Sequence, residues 1–361
     1  MNARYFYILI INANISQFMI FVPYALTQNI EKGFPIAILI GLVVASVNAY
    51  FTIYVYNHFK SYTLTDISIR LFGKVLGHIF VFFHIVLYII MSLFMSRGLL
   101  VIINNFMLPN TSVIALGAVF LLLIITVFKN SNDTYLNFIS FITVIMALWA
   151  ILQLELSFRE MSWFYVKGSI IHSMKFPTMW LIGISAFIYC GLYPQTLFNP
   201  LLKRISWIKT VCVFIFIGLP IASLIILIPV GIWGPVAVKQ LLLVHMLTAD
   251  TMAVDLFVIE RVLFLLLPLF ILYMLSNILN YAFTAKGLFI SLNYNKYVNM
   301  FFVVIISIVF FLWINFMSNT KILLNSGIKY ISIYFWIQFI LSFIFFIFTK
   351  IRGKFKDEIY S

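Results

Sequence analysis

Asn12, Asn14, Ser16 and Gln17 interrupt one apolar run, and Tyr189, Cys190, Gly191, Tyr193, Pro194 and Gln195 interrupt another. Amides, hydroxyls and a thiol at such positions suit the binding of a small polar molecule rather than catalysis. The residues that carry bond-breaking chemistry are not grouped. The five histidines, at 58, 78, 84, 172 and 245, show no metal-ligand spacing, and His84 reads as a buried ring bonded to a neighbour. Cys190 and Cys212 each stand alone in an apolar stretch, which suggests neither a disulfide framework nor a paired-cysteine metal site. HExxH, GxSxG, CxxC and phosphate-binding glycine loops are missing from the sequence. The expectation is a binding protein: no enzyme, no metal and no cofactor.

The backbone around these groups gives them their interest. Pro194 lacks the N–H that would bond the carbonyl of Cys190, Gly191 loosens the chain beside it, and Pro23 likewise removes the bond to Met19. In lipid, backbone freed by such a break must be satisfied by protein or by a water-lined cavity, so breaks at mid-depth predict a binding site. The bilayer context follows from composition. The 361 residues are 64% hydrophobic and 9% charged, where soluble domains carry about 25% charged residues. With a mean hydropathy of +1.12, this predicts an all-α integral membrane protein in a lipid bilayer. The net charge of +13 is scattered between apolar segments without forming a basic stripe, so nucleic acid is not an expected partner and the cations read as topology signals. The apolar run from Arg4 to Leu26 is expected to stay as the first span.

A ruler of about 20 residues per crossing divides the chain into ten transmembrane helices. Their limits are 5–27, 34–58, 76–106, 111–128, 134–157, 177–201, 207–233, 257–285, 298–318 and 328–350. With both termini in the cytoplasm, 14 basic residues lie inside and 7 outside, which sets the orientation. A linker at 159–176 separates two sets of five spans within a single transmembrane domain, 1–361, the first repeat covering about 5–157 and the second about 177–350. A 5+5 inverted-repeat, transporter-like fold with interrupted first and sixth helices is therefore expected. Leu64, Ile67, Leu71 and Val75 give the connector after the second span helical spacing. The segment 234–256 is expected to hold a short helix.

The predicted pocket places Asn14, Ser16, Gln17, Tyr189, Cys190 and Gly191 around the ligand, with Tyr88, Ser276 and Asn277 further out. Helix packing is the competing role for any one of these small polar groups. Four charges fall within or beside spans: Arg97, Glu155, Glu260 and Arg261, the last two opening the eighth span. They read as structural ion pairs, Arg97 with Glu155 or with Glu260.

Several stretches, taken in order, resemble one family: FMIFVPYAL in the first span, TLTDISIRLFGKVLG in the connector, MSRGLLVIINNFMLP with Arg97, FIYCGLYPQTLFNPLL in the sixth span, and Glu260-Arg261. The chain resembles the B subunits of nutrient germinant receptors, the endospore germination permeases, within the amino acid-polyamine-organocation transporter superfamily. It departs from the usual pattern at Ser16 and Phe18, where glycines are common, and at Gly98 and Gly191-Leu192-Tyr193-Pro194, where an acidic residue is common. The resemblance implies a multi-pass protein of the inner spore membrane that binds a small, amino acid-like nutrient and signals germination with receptor A and C subunits. The alternative is an ion-coupled secondary transporter of amino acids or amines.

Overall fold

Runs of apolar residues that must bond their own backbone in lipid fold as helices, and helices dominate the computed structural model. It describes residues 3–16, 20–191, 195–256, 259–292, 295–316 and 319–352, with the backbone alone at 195, 253–256, 259–261, 296 and 314–316. The first span is two helices, α1 (Arg4–Ser16) and α2 (Phe21–Gln28), bent by 51°. Then follow α3 (Phe34–His58), α4 (Leu64–Phe72), α5 (Lys74–Phe106), α6 (Val113–Phe128), α7 (Asn132–Glu160) and α8 (Trp163–His172). The sixth span is again divided, into α9 (Met179–Phe187) and the short α10 (Gln195–Phe198). Next come α11 (Trp207–Val213), a π-turn at Phe214–Gly218, α12 (Leu219–Ala237) and α13 (Val244–Thr251). After an antiparallel ribbon, β1 (Ala253–Leu256) with β2 (Ile259–Arg261), the chain ends in α14 (Val262–Ser291), α15 (Lys296–Phe316) and α16 (Thr320–Arg352).

Among the described residues, six helices, or up to seven counting the bent pair, are long and apolar enough to cross a membrane. Val113–Phe128 and Tyr297–Trp313 are shorter apolar helices. The chain is thus a helical, multi-pass membrane protein. Its centre is made by α5 packed along α14, with α3, α9 and α16 as one neighbouring layer and α1 against α7 and α14 as another.

Local chemistry explains the boundaries. Thr63 and Asp66 form a reciprocal capping box that starts α4, and Gly73, at φ +82°, ends it. Leu64, Ile67 and Leu71 are buried as their spacing predicts, but Val75 falls beyond the Gly73 turn, on α5, and is exposed. Pro23 sits in the first turn of α2, where a missing N–H costs no helical bond, so it starts a helix instead of breaking one. Met19 and Pro194 lie outside the described residues. The sixth-span helix stops at Phe187, ahead of Cys190 and Gly191. Glu260 and Arg261 occupy β2, so the eighth span opens at Val262. The short helix expected in 234–256 is α13.

Candidate functional site between the interrupted helices

The end of the described segment after α9 lies against α1. At Gly191 a Cβ would come 3.0 Å from both the Cα of Ile10 and the Cβ of Ala13, so the missing side chain is what lets this segment lie against α1. The end of α9 tightens before it gives way. Tyr189 and Cys190 donate to the carbonyls of Ala186 and Phe187, three residues back, at 3.1 and 2.9 Å, and Gly191 donates to Tyr189 at 2.9 Å. Ser16, the last residue of α1, donates to the carbonyl of Ala13 at 3.0 Å, satisfying a helix-end acceptor. Gln17 lies outside the described residues.

Tyr189 and Cys190, adjacent in sequence, serve different neighbourhoods. The Tyr189 ring packs on Phe214 at 5.5 Å between centroids and lies flush with Gly218, where a Cβ would come within 2.8 Å of it. The same Cβ would stand 3.4 Å from the side-chain nitrogen of Asn14. Asn14, Tyr189 and the bare backbone of Gly218 therefore share one spot. Asn14 is fully buried with both amide atoms unpartnered, and the Tyr189 hydroxyl is unpartnered as well. Buried polar groups are nearly always bonded, because leaving one bare costs about 1–3 kcal/mol, so three together call for an explanation. Gly218 ends the π-turn, a feature found mostly where helices carry function. Neither Gly218 nor the π-turn stands out in the sequence, since the spacing of that run is apolar throughout.

Cys190 turns to a second space, a cavity of about 50 Å³ that Tyr88 and His84 also line. Among its other walls, Asn48 Oδ1, the hydroxyls of Tyr56 and Tyr334, and Gln338 Nε2 have no partner. His84 bonds the carbonyl of Phe80 through Nδ1 at 2.8 Å, within its own helix. Asn48, Tyr56, Tyr334 and Gln338 escape a reading of the sequence because each sits singly in a long apolar helix.

Ser276 belongs to neither space. It donates to Asn12 Oδ1 at 2.7 Å, and Asn280 donates to the same oxygen at 2.8 Å. The Asn12 amide nitrogen in turn donates to Thr143 at 2.9 Å and to the sulfur of Met146 at 3.5 Å, while Tyr135 donates to Asn280 at 2.5 Å. This network ties α1, α7 and α14 together and saturates Asn12. Asn277 faces α5, with its nitrogen 3.9 Å from the sulfur of Met95 and its oxygen unpartnered.

The charges divide similarly. Glu155 accepts from Arg159 at 2.6 Å on an exposed face one turn along α7, which replaces the expected pairing with Arg97. Arg97 is buried on α5, and the side chains of Glu260 and Arg261 lie outside the described residues. At the end of the bundle beyond the spans, Lys239 pairs with Glu31 and accepts a bond from the Gln28 amide on its carbonyl, which joins the end of α2 to the end of α12. That contact holds the Glu31 carboxyl below its ordinary value. Among the described residues no group of three His, Cys, Asp or Glu stands close enough to hold a metal ion. Such an arrangement offers hydrogen bonds and shape, the means of reversible binding. Compared with known proteins, residues 1–322 match a family model described as "Spore germination protein". No curated protein matches the chain.

Proposed function

The chain belongs to the spore germination protein family, and we propose that within it this protein is a receptor subunit that binds a small, amino acid-like germinant between its two interrupted helices. The observation that carries the reading is the bare, fully buried Asn14 amide near the ring of Tyr189, whose hydroxyl is likewise unpartnered. A carboxylate or carbonyl would accept from the Asn14 nitrogen and the Tyr189 hydroxyl. An ammonium or hydroxyl would donate to the Asn14 oxygen. Gly218 lets the Tyr189 ring lie against its backbone beside Asn14, and the rings of Tyr189 and Phe214 offer an apolar wall. Gln17 is proposed as a further contact, Cys190 and Tyr88 as the floor towards the smaller cavity, and Asn277 as an outlying contact.

The wider setting is part of the same proposal. Ten spans form two inverted sets of five, both termini face the cytoplasm, and the protein works in the inner spore membrane with germinant receptor A and C subunits. Arg97, Glu260 and Arg261 hold helices together near the outer face. Ligand binding signals by favouring one arrangement of α1 and α9 over another, since a ligand with equal affinity for both states shifts nothing.

Ligand-dependent thermal stabilisation of the purified protein, screened with amino acids, nucleosides and sugars, tests this reading, because binding to the folded state must stabilise it. A stabilising compound whose effect is lost in Asn14→Leu supports the site. A compound that stabilises wild type and Asn14→Leu equally places its site elsewhere.

A further inference from the structure

Away from the interrupted helices, a cavity of about 690 Å³ opens at the corner where α8 meets the end of α12. Its frame is fixed. The Ser162 amide donates to the carbonyl of Gly231 at 2.9 Å, and the Tyr165 ring lies 3.6 Å from the Cβ position of Gly234, whose φ of +76° turns the chain into Pro235. The volume is in the range of sites for molecules of some tens of atoms. Two buried donors at its wall, Trp233 Nε1 and Ser169 Oγ, have no partner.

α8 begins three residues after α7, a helix long and apolar enough to cross a membrane, and we take it to lie at the membrane surface. Its outward side chains include large apolar ones: Phe164 is 81% exposed and Trp163 53%, while Val236 in the cavity wall is 73% exposed. An aromatic helix lying at a membrane surface meets lipid at headgroup depth. Charge at the rim is basic on balance. Lys239 and Lys175 both act on the single acid Glu31, and exposed Lys167 neighbours Gly168 in the wall.

We infer that this cavity is a binding site for an anionic phospholipid, an acyl chain entering between α8 and the Gly234–Pro235 bend, the ester carbonyl accepting from Trp233 and Ser169, and the phosphate lying among Lys167, Lys175 and Lys239. The site stands apart from the binding site proposed at Asn14 and does not rest on it. It nonetheless touches the same machinery. Glu31 follows α2, the second half of the first interrupted helix, and Lys239 follows α12, which begins at the π-turn beneath Tyr189.

The test is native mass spectrometry of the full chain in mild detergent with dioleoyl phosphatidylglycerol added. A Cβ at Gly168 meets nothing within 4 Å, so Gly168→Leu fills the cavity without disturbing the helix, and Gly168→Ala is its control. The expected result is one phosphatidylglycerol retained after other lipid is stripped, reduced at least fivefold in Gly168→Leu, unchanged in Gly168→Ala, and not displaced by glycerol phosphate alone. Lys175→Glu should cut retention of phosphatidylglycerol severalfold while leaving phosphatidylcholine unaffected. Equal retention by wild type and Gly168→Leu at equal thermal midpoints, or displacement by glycerol phosphate, overturns the inference.

Discussion

Asn12 and Asn14 stand two residues apart on one helix, and the first has every side-chain hydrogen-bonding group engaged while the second has none. Replacing each by leucine should separate a structural role from a binding role. Asn12→Leu strips Ser276 and Asn280 of their acceptor and should cost on the order of 3 kcal/mol, seen as a lower thermal midpoint in detergent. Asn14→Leu removes two bare polar atoms and should leave stability unchanged or slightly higher, while abolishing any ligand-induced shift. A loss of stability in Asn14→Leu matching that of Asn12→Leu would mean that Asn14 is structural too.

Gly218 offers a second handle on the same spot. Gly218→Ala sets a methyl within 2.8 Å of the Tyr189 ring and 3.4 Å of the Asn14 nitrogen. The buried ring must move aside, so the expected outcome is a loss of stability of about 1–3 kcal/mol, with at least tenfold weaker ligand binding by titration.

Gly191 is a poorer probe of binding, because its neighbours are the backbone of Ile10 and the methyl of Ala13. Gly191→Leu should push the two interrupted helices apart, lowering the thermal midpoint and abolishing the germination response together. A germination assay of spores carrying Gly191→Leu at normal protein levels and unchanged midpoint would count against this packing.

The two cysteines should differ in reactivity. Cys212 lies on the outer surface of the protein and Cys190 is buried, so a small maleimide apolar enough to enter the detergent should label one thiol in the folded protein and a second only after denaturation. Cys212→Ser should then resist labelling until it unfolds. Fast labelling of Cys190 in that variant would show that the segment after Phe187 opens freely.

The Glu31–Lys239 contact carries a pH dependence of definite sign. The folded-state pKa of Glu31 lies below its ordinary value, chiefly through the hydrogen bond from Lys239 and its positive charge. Its stabilisation is therefore fully present above the unfolded carboxylate pKa of about 4.3 and disappears as pH falls through the lower folded value. As an exposed pair its contribution is small. Thermal midpoints of wild type and Glu31→Gln, measured from pH 6 to pH 3, should differ at the upper end and converge at the lower.

The sequence alone determined that this is a helical membrane protein and where its chain is interrupted. Both follow from one constraint: lipid offers no hydrogen bonds, so spans must be long, apolar and internally bonded, and polar or glycine clusters such as 12–17 and 189–195 are conspicuous exceptions. Tertiary structure decided which of those polar groups are free. Asn12, Asn14, Ser16 and Ser276 look alike as intramembrane polar residues, yet helix rotation and neighbours tie up three of them and leave Asn14 bare. The division of Tyr189 from Cys190, the match of Glu155 to Arg159 and the π-turn ending at Gly218 are likewise matters of facing. Facing depends on how whole helices pack, a sum over many weak contacts that no local run of residues records.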